Sequence, residues 1–186
     1  MTDTYLPSQD SSTLARALRD YSGERCLEIG FGSGAVLAAL VPRFGTVVGT
    51  DIVSVEQAVS AKDDAEVVVC DRATCFRPGC FDVVAFNPPY LPSEGVEDRT
   101  VDGGAGGISV PIAFLEEALR VLRPDGSVVL LLSSESDIDG FMRVCAEKGL
   151  RVFEKARTEL FFESLFVFEV KRHRRLDALL QADARD

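Results

Sequence analysis

The stretch Leu27-Glu28-Ile29-Gly30-Phe31-Gly32-Ser33-Gly34 constrains this chain more than any other. The segment Arg25–Ile29 reads as a strand, and the glycines after it permit a tight turn into a helix. Lacking a Cβ, they also let a ligand lie against bare backbone. The spacing is G-x-G-x-G, whereas dinucleotide folds use G-x-G-x-x-G to aim a helix N-terminus at a pyrophosphate. The turn therefore suits a ligand without phosphate, and Glu28 adds a carboxylate able to orient a cationic group, in part through water.

Around that turn, apolar runs alternate with helix-like segments, which implies an α/β fold of parallel strands joined by helical crossovers. A first helix starts near Asp10 or Ser11, both good N-caps, with Leu14 and Leu18 on one face. Strands are expected at Arg25–Ile29, Thr46–Thr50, Val67–Val69, Phe81–Phe86 and Ser127–Leu132, with helices over Ala35–Leu40, Ser54–Ala61, Val110–Leu122 and Ile138–Lys148. Arg151–Arg157 and Ser164–Lys171 close the domain as an antiparallel pair. A long loop, Pro88 to Ile108, follows the fourth strand, and loops of that length inside a compact domain are usually functional or disordered. Arg123-Pro124-Asp125-Gly126 is a stop-and-turn signal. Residues 1–171 read as one domain, followed by a tail, 172–186, that is basic and then acidic; a solvated chain end is the plainer reading of its basic run.

Carboxylates recur where ligands bind in open α/β sheets, at the C-terminal ends of successive strands. Glu28 ends the first, Asp51 the second and Asp71 the third. Asp51 can accept hydrogen bonds from both hydroxyls of a ribose, and Asp71 can reach an adenine amino group. Together with a turn that needs no phosphate and a cation-orienting Glu28, these acids fit S-adenosylmethionine. Asn87-Pro88-Pro89-Tyr90 follows the fourth strand, beside the expected position of the reactive methyl group. A planar amide or aromatic amine is a poor nucleophile because its lone pair is delocalised. Catalysis must hold that nitrogen in line and stabilise the charge that develops as the lone pair localises. The Asn87 side-chain carbonyl and the Pro88 main-chain carbonyl can each accept one amine hydrogen, the prolines stiffen the turn, and Tyr90 offers a flat face.

Composition narrows the alternatives. Thirty acidic against twenty basic side chains give a net charge of -10, which repels phosphates and argues against direct DNA or RNA binding. The same acidity would suit a high-salt cytoplasm. No run approaches the roughly 18 apolar residues of a membrane span and the N-terminus has no basic leader, so the expected address is cytoplasmic. The five cysteines are read as reduced thiols, buried or neutral. Cys70, Cys75 and Cys80 lack the short Cys-x-x-Cys pairs of zinc sites, and no metal is expected in this chain.

In order along the chain, Tyr5-x-Pro7-x-x-Asp10-Ser11, the Leu27–Gly34 turn, Asp51, Asp71, Asn87-Pro88-Pro89-Tyr90 and Gly103-Gly104-x-Gly106-Gly107 resemble the HemK-type glutamine methyltransferases. The similarity covers roughly residues 5 to 171. It is greatest to the short archaeal and eukaryotic branch, which lacks an additional N-terminal substrate-binding domain. Val101-Asp102 departs from the Ala-Trp of many relatives. The resemblance implies a Rossmann-like class I methyltransferase with a seven-stranded, mostly parallel sheet in the order 3-2-1-4-5-7-6 and helices on both faces. It implies S-adenosylmethionine as cofactor, S-adenosylhomocysteine as product, and methylation of the glutamine side-chain amide in the Gly-Gly-Gln loop of a class 1 translation release factor. Ser11, Glu28, Gly30, Gly32, Gly34, Asp51, Asp71 and Asn87 would surround the cofactor, with Asn87, Pro88 and Tyr90 catalytic.

In that strand order Val67, Val68 and Val69 lie on an edge with no lysine or proline to block pairing, an aggregation liability unless covered. A partner strand is expected there, and the resemblance supplies a small zinc-binding activator subunit. Three other readings remain: DNA adenine-N6 methylation, which usually brings a basic groove and a recognition domain; lysine methylation; and a catalytically inactive scaffold.

Overall fold

The computed structural model describes residues 9–52, 64–93 and 101–173. Its elements are α1 (Gln9–Ala17), β1 (Gly23–Ile29), α2 (Ala35–Leu40), β2 (Phe44–Asp51), β3 (Glu66–Val69), β4 (Phe81–Phe86), the short strands β5 (Leu91–Pro92) and β6 (Asp102–Gly104), α3 (Ser109–Val121), β7 (Leu122–Ser133), α4 (Ile138–Glu147), β8 (Leu150–Glu159) and β9 (Ser164–Arg172). The large sheet runs β3-β2-β1-β4-β7-β9-β8. Counted without the separate β5–β6 pair, that order is 3-2-1-4-5-7-6. All neighbours are parallel up to β7, whereas β9 is antiparallel to both β7 and β8.

The side-chain period of two explains why central strands are apolar throughout. Cys26, Val47, Val83, Ala85, Val129 and Leu131 face one side of the sheet, where they pack with Leu14, Leu18, Leu37 and Leu40 around α1 and α2. Leu27, Ile29, Val84, Phe86, Val128 and Leu130 face the other, against Leu115, Ala118 and Val121 of α3 and Phe141 and Cys145 of α4. Leu14, Leu18, Leu37 and Leu115 are wholly buried, each contributing about 1.5–3 kcal/mol relative to an exposed side chain. Helix α2 lies so close to β2 that a Cβ at Gly49 would sit 2.7 Å from the Leu37 Cδ1.

Several boundaries differ from the sequence reading for identifiable reasons. Helix α1 begins at Gln9, so Asp10 occupies its first turn rather than its cap; the carboxylate instead serves a tertiary contact, described below. Arg123–Gly126 does not separate helix from strand. It forms an excursion inside β7, whose register against β4 jumps from Phe81↔Leu122 to Val83↔Ser127. Gly126 is required there because a Cβ would meet the Asp82 carbonyl oxygen and Leu122 at 2.7 Å. Of the expected long loop, the described ends form the β5–β6 pair and a 3₁₀ turn over Ala105–Gly107. The expected helix Ser54–Ala61, residues Tyr5 and Pro7, and the tail beyond His173 lie outside the described residues. No helix among the described residues is long and apolar enough to cross a membrane.

Candidate functional site

The site is assembled from the carboxyl ends of β1, β2 and β4. Ile29 is in register with Thr50 on one side and Phe86 on the other, so Gly30, Asp51 and Asn87 leave adjacent strands side by side. Backbone N–H groups of Gly30 and Phe31 donate to the Thr50 carbonyl at 2.6 and 3.2 Å, folding the turn over the end of β2. Gly32 has φ 48°, in the left-handed region that disfavours side chains. Yet a Cβ there would find no atom within 4 Å, and at Gly30 only the Phe114 ring, at 3.8 Å. The glycines satisfy the backbone angle while leaving open space against the main chain. The Asp51 Oδ2 accepts the Gly32 N–H at 3.1 Å and so fixes the middle of the turn.

Buried polar atoms at this edge without a protein partner include the Glu28 Oε2, the Asn87 Oδ1 and the Thr50 Oγ1. Such groups are costly, about 1–3 kcal/mol each, and are uncommon without a functional reason. Burial pushes the Glu28 carboxyl well above the ordinary glutamate range; a backbone hydrogen bond from Leu37 opposes the shift, and Asp51 adds to it. A cation beside Glu28 would reverse that shift.

Pro88 is buried and Tyr90 half-buried, and Tyr90 is fixed by long-range contacts. The Tyr90 hydroxyl donates to the Asp10 Oδ2 at 2.7 Å, and the Ser136 hydroxyl donates to the Tyr90 carbonyl at 2.9 Å. Burial first, then the Asp10 contact, pushes the Tyr90 phenol upward, so it stays protonated and serves as a donor, not a base. Gly103 and Gly107 back this turn. A Cβ on Gly103 would lie 2.8 Å from the Tyr90 backbone, and one on Gly107 would overlap the Tyr90 carbonyl oxygen. The double-glycine pattern is thus a packing requirement of the Asn87–Tyr90 turn. Asp10 and Ser136 act here through contacts to Tyr90 spanning 80 and 46 residues of sequence, which no local sequence signal carries.

The remaining candidates lie around this centre. Ser11 follows Asp10 in the first turns of α1. Asp71 is exposed beyond β3, and both its oxygens accept from Arg72 at 3.0 Å. Arg72 itself is the sole described non-glycine residue at positive φ, 50°. Val67 and Val68 are half-buried on the edge strand β3, and Val69 is 52% exposed. Among the cysteines, Cys26 and Cys145 are buried, while Cys75 is exposed and its sulfur lies 3.0 Å from that of Cys70. Burial and the Cys70 contact push the Cys75 thiol up to about 11. Among the described residues no three metal-ligating side chains come together.

No family model matches the sequence. A Methanocaldococcus jannaschii protein, provisionally named protein N5-glutamine methyltransferase, is 30% identical over 91% of this chain and 92% of its own. The chain belongs to the protein N5-glutamine methyltransferase family. The mouse methyltransferase HEMK2 is 30% identical over 80% of both chains. The release factor glutamine methyltransferase of Rhodospirillum rubrum is 28% identical over 76% of this chain, which spans 51% of that enzyme's length. Among solved structures, one from the E. cuniculi Mtq2–Trm112 complex superposes with a TM-score of 0.75 at 24% identity, covering 91% of this chain and 98% of that one; at that identity the likeness establishes the fold. The chain is an S-adenosylmethionine-dependent protein-glutamine N-methyltransferase. Its residues fit that cofactor: an unpartnered buried carboxylate oxygen for a cation, bare glycine backbone beside open space, and no requirement for a phosphate.

Proposed function

We propose that this methyltransferase modifies the N5 amide of the glutamine in the Gly-Gly-Gln loop of a class 1 release factor, in the cytoplasm, as the catalytic subunit of a heterodimer. One observation carries the chemistry: the Asn87 Oδ1, at the carboxyl end of β4, is buried and without a partner. That is the state expected of an acceptor whose donor is the substrate amide. Release-factor methylation is named for the R. rubrum relative, and the E. cuniculi complex is described as responsible for methylating the eRF1 termination factor; both support the choice of substrate.

In this reading Glu28, Gly30, Gly32, Gly34, Asp51, Asp71 and Ser11 hold S-adenosylmethionine. Glu28 faces the cationic methionine end, Asp51 the ribose, and Asp71, once it shares its Arg72 contact, the adenine amino group. The cofactor supplies an electrophilic methyl group on a sulfonium. Asn87 and the Pro88 carbonyl each accept one hydrogen of the glutamine amide, turning its nitrogen toward that methyl and stabilising the positive charge that grows there. Tyr90, locked by Asp10 and Ser136, packs against the planar amide. Near the turn the protonated Tyr90 is no proton acceptor, so the amide proton leaves to solvent. Mass spectrometry of a class 1 release factor incubated with enzyme, partner and cofactor tests the substrate. A gain of one methylene on the Gly-Gly-Gln glutamine is expected; labelling of some other glutamine, such as one on ribosomal protein uL3, would refute it.

The heterodimer is supported by the contrast between the two sheet edges. The β8 edge carries Arg151, Lys155 and Arg157, charges that discourage strand addition. The β3 edge presents valine, with Ile52 beside it 58% exposed. A small zinc-binding activator subunit adding a strand to β3 would cover both. Because Val67 packs on the core, Val69→Lys is the cleaner test. It should leave the chain folded and abolish co-purification with the partner, and retained association would exclude this edge.

A further inference from the structure

The hairpin joining β8 and β9 ends in Leu160-Phe161-Phe162-Glu163, and its two phenylalanines are 92% and 89% exposed. Each ring is a large apolar surface, about 150–250 Å² when buried, so exposing both at one point calls for an explanation. Their rings touch each other edge-on, with centroids 4.7 Å apart. The tip is also pinned on either side. The Leu160 N–H donates to the Glu163 carbonyl at 2.8 Å, and the Ser134 N–H to the Ser164 carbonyl at 2.8 Å. The Ser164 N–H donates to the Ser134 hydroxyl at 3.0 Å, and the Ser133 hydroxyl to the Glu163 carboxylate. Leu160 turns inward and joins the core cluster that Tyr90 packs on. The backbone is thus anchored while Phe161 and Phe162 are held out in solvent.

Position identifies what they meet. Strand β9 is antiparallel to β7 and starts opposite Ser133, the last residue of β7. The tip therefore stands at the carboxyl edge of the sheet, the edge that carries Asn87–Tyr90. Ser136, three residues beyond Ser133, is bonded to the Tyr90 carbonyl, and the Glu163 charge is felt at the Tyr90 phenol. Edge strand β3 lies five strands away from β9, about 24 Å at the usual spacing, so a subunit on that edge leaves the tip uncovered. A macromolecule that delivers a side-chain amide to Asn87 must bring its flanking chain across this rim.

We propose that Phe161 and Phe162 form a docking wedge for the protein substrate, gripping an apolar segment beside the target glutamine. The inference rests on the reading of this enzyme as a release-factor methyltransferase. The wedge supplies affinity for the macromolecule and takes no part in methyl transfer, so it acts on KM and leaves kcat alone.

The test compares the wild type with Phe161→Ala/Phe162→Ala, both with the partner subunit, on purified release factor. The wedge predicts that KM for the release factor rises about tenfold or more, as for loss of an aromatic hot spot. The kcat at saturation and the cofactor Kd stay at wild-type values, and Phe161→Leu/Phe162→Leu recovers most of the KM. Equal KM values for wild type and alanine variant overturn the wedge. So does a change confined to self-association by light scattering, which would make the tip a contact between copies of this chain. If the wild type leaves the Gly-Gly-Gln glutamine unmodified, the substrate reading fails instead and takes the release-factor wedge with it; the two failures are told apart by the wild-type arm.

Discussion

Replacing Asn87 by alanine separates catalysis from stability in a way that few substitutions can. The Oδ1 is buried and accepts no hydrogen bond within the protein, so its removal breaks no hydrogen bond. It relieves an unsatisfied acceptor, a liability of about 1–3 kcal/mol that roughly offsets the packing lost with the side chain. Thermal unfolding should therefore move by no more than about 1 kcal/mol. In the proposed transition state the same oxygen accepts a hydrogen from a nitrogen that is becoming positive. Loss of one such positioned contact costs about 2–4 kcal/mol, or about 30- to 900-fold in kcat/KM. Transfer of labelled methyl to release factor measures the rate, while calorimetry on the cofactor alone measures its affinity, which should change far less. Near-normal turnover would refute Asn87 as the amide anchor. An equal fall in cofactor affinity would show that the oxygen serves the cofactor rather than the substrate.

Three further substitutions probe the surrounding shell. Asp51→Ala removes both the ribose acceptor and the 3.1 Å bond from the Gly32 N–H; cofactor Kd should rise about 10- to 150-fold by calorimetry, for loss of a charge-assisted bond of about 1.5–3 kcal/mol. Glu28→Gln tests the buried acid: its folded pKa lies above its unfolded value because of burial, so the unfolded chain holds fewer protons and wild-type stability declines as pH rises past about 4.3. The glutamine variant lacks this decline, so its thermal stability should overtake the wild type as pH increases while its cofactor affinity falls about tenfold or more; parallel stability curves would contradict a raised carboxyl. Gly107→Ala places a Cβ 2.2 Å from the Tyr90 carbonyl oxygen at a φ of 68°, and should cost about 1–3 kcal/mol of stability with a fall in kcat from the displaced turn.

Legibility in the sequence tracked how local the determining physics is. Strand β4 and helix α2 match their expected bounds residue for residue, because a run of apolar residues between turn signals is specified within a few positions. The Arg123–Gly126 turn was correct as chemistry and misplaced as architecture. Its proline and glycine do bend the chain, but β7 resumes pairing with β4 from Ser127, so the bend lies inside one strand. The candidate residues Glu28, Gly30, Gly32, Asp51 and Asn87 could be read from their place at strand ends, and the register brings those ends together. Asp10 could not, since its helix-start position suggested a cap and its actual partner, Tyr90, lies 80 residues away. Nor could the two phenylalanines of the hairpin tip, whose apolar character suggests core until the fold turns them outward.

The two ends of the sheet each hold a carboxyl that desolvation would raise, with opposite net results. At the amino end, burial would raise the Asp82 carboxyl, but hydrogen bonds from the Arg25 N–H, Arg123 and the Glu24 N–H outweigh it and hold the group below the usual aspartate range. Both backbone donors lie at 2.8 Å, and Arg123 also reaches Glu24 at 3.0 Å. A cleft of about 520 Å³ opens beside this network, lined by Asp20, Tyr21, Asp82 and Arg123, yet its central ion pair is already made. At the carboxyl end Glu28 meets burial with a single opposing backbone bond and is left raised, and Asn87 is left unpaired. An open cleft is therefore no measure of readiness for a ligand: this one has spent its charges on folding. The carboxyl edge carries the cost of its unpaired groups, and in the proposed reading cofactor and substrate satisfy them, coupling binding to stability through mass action.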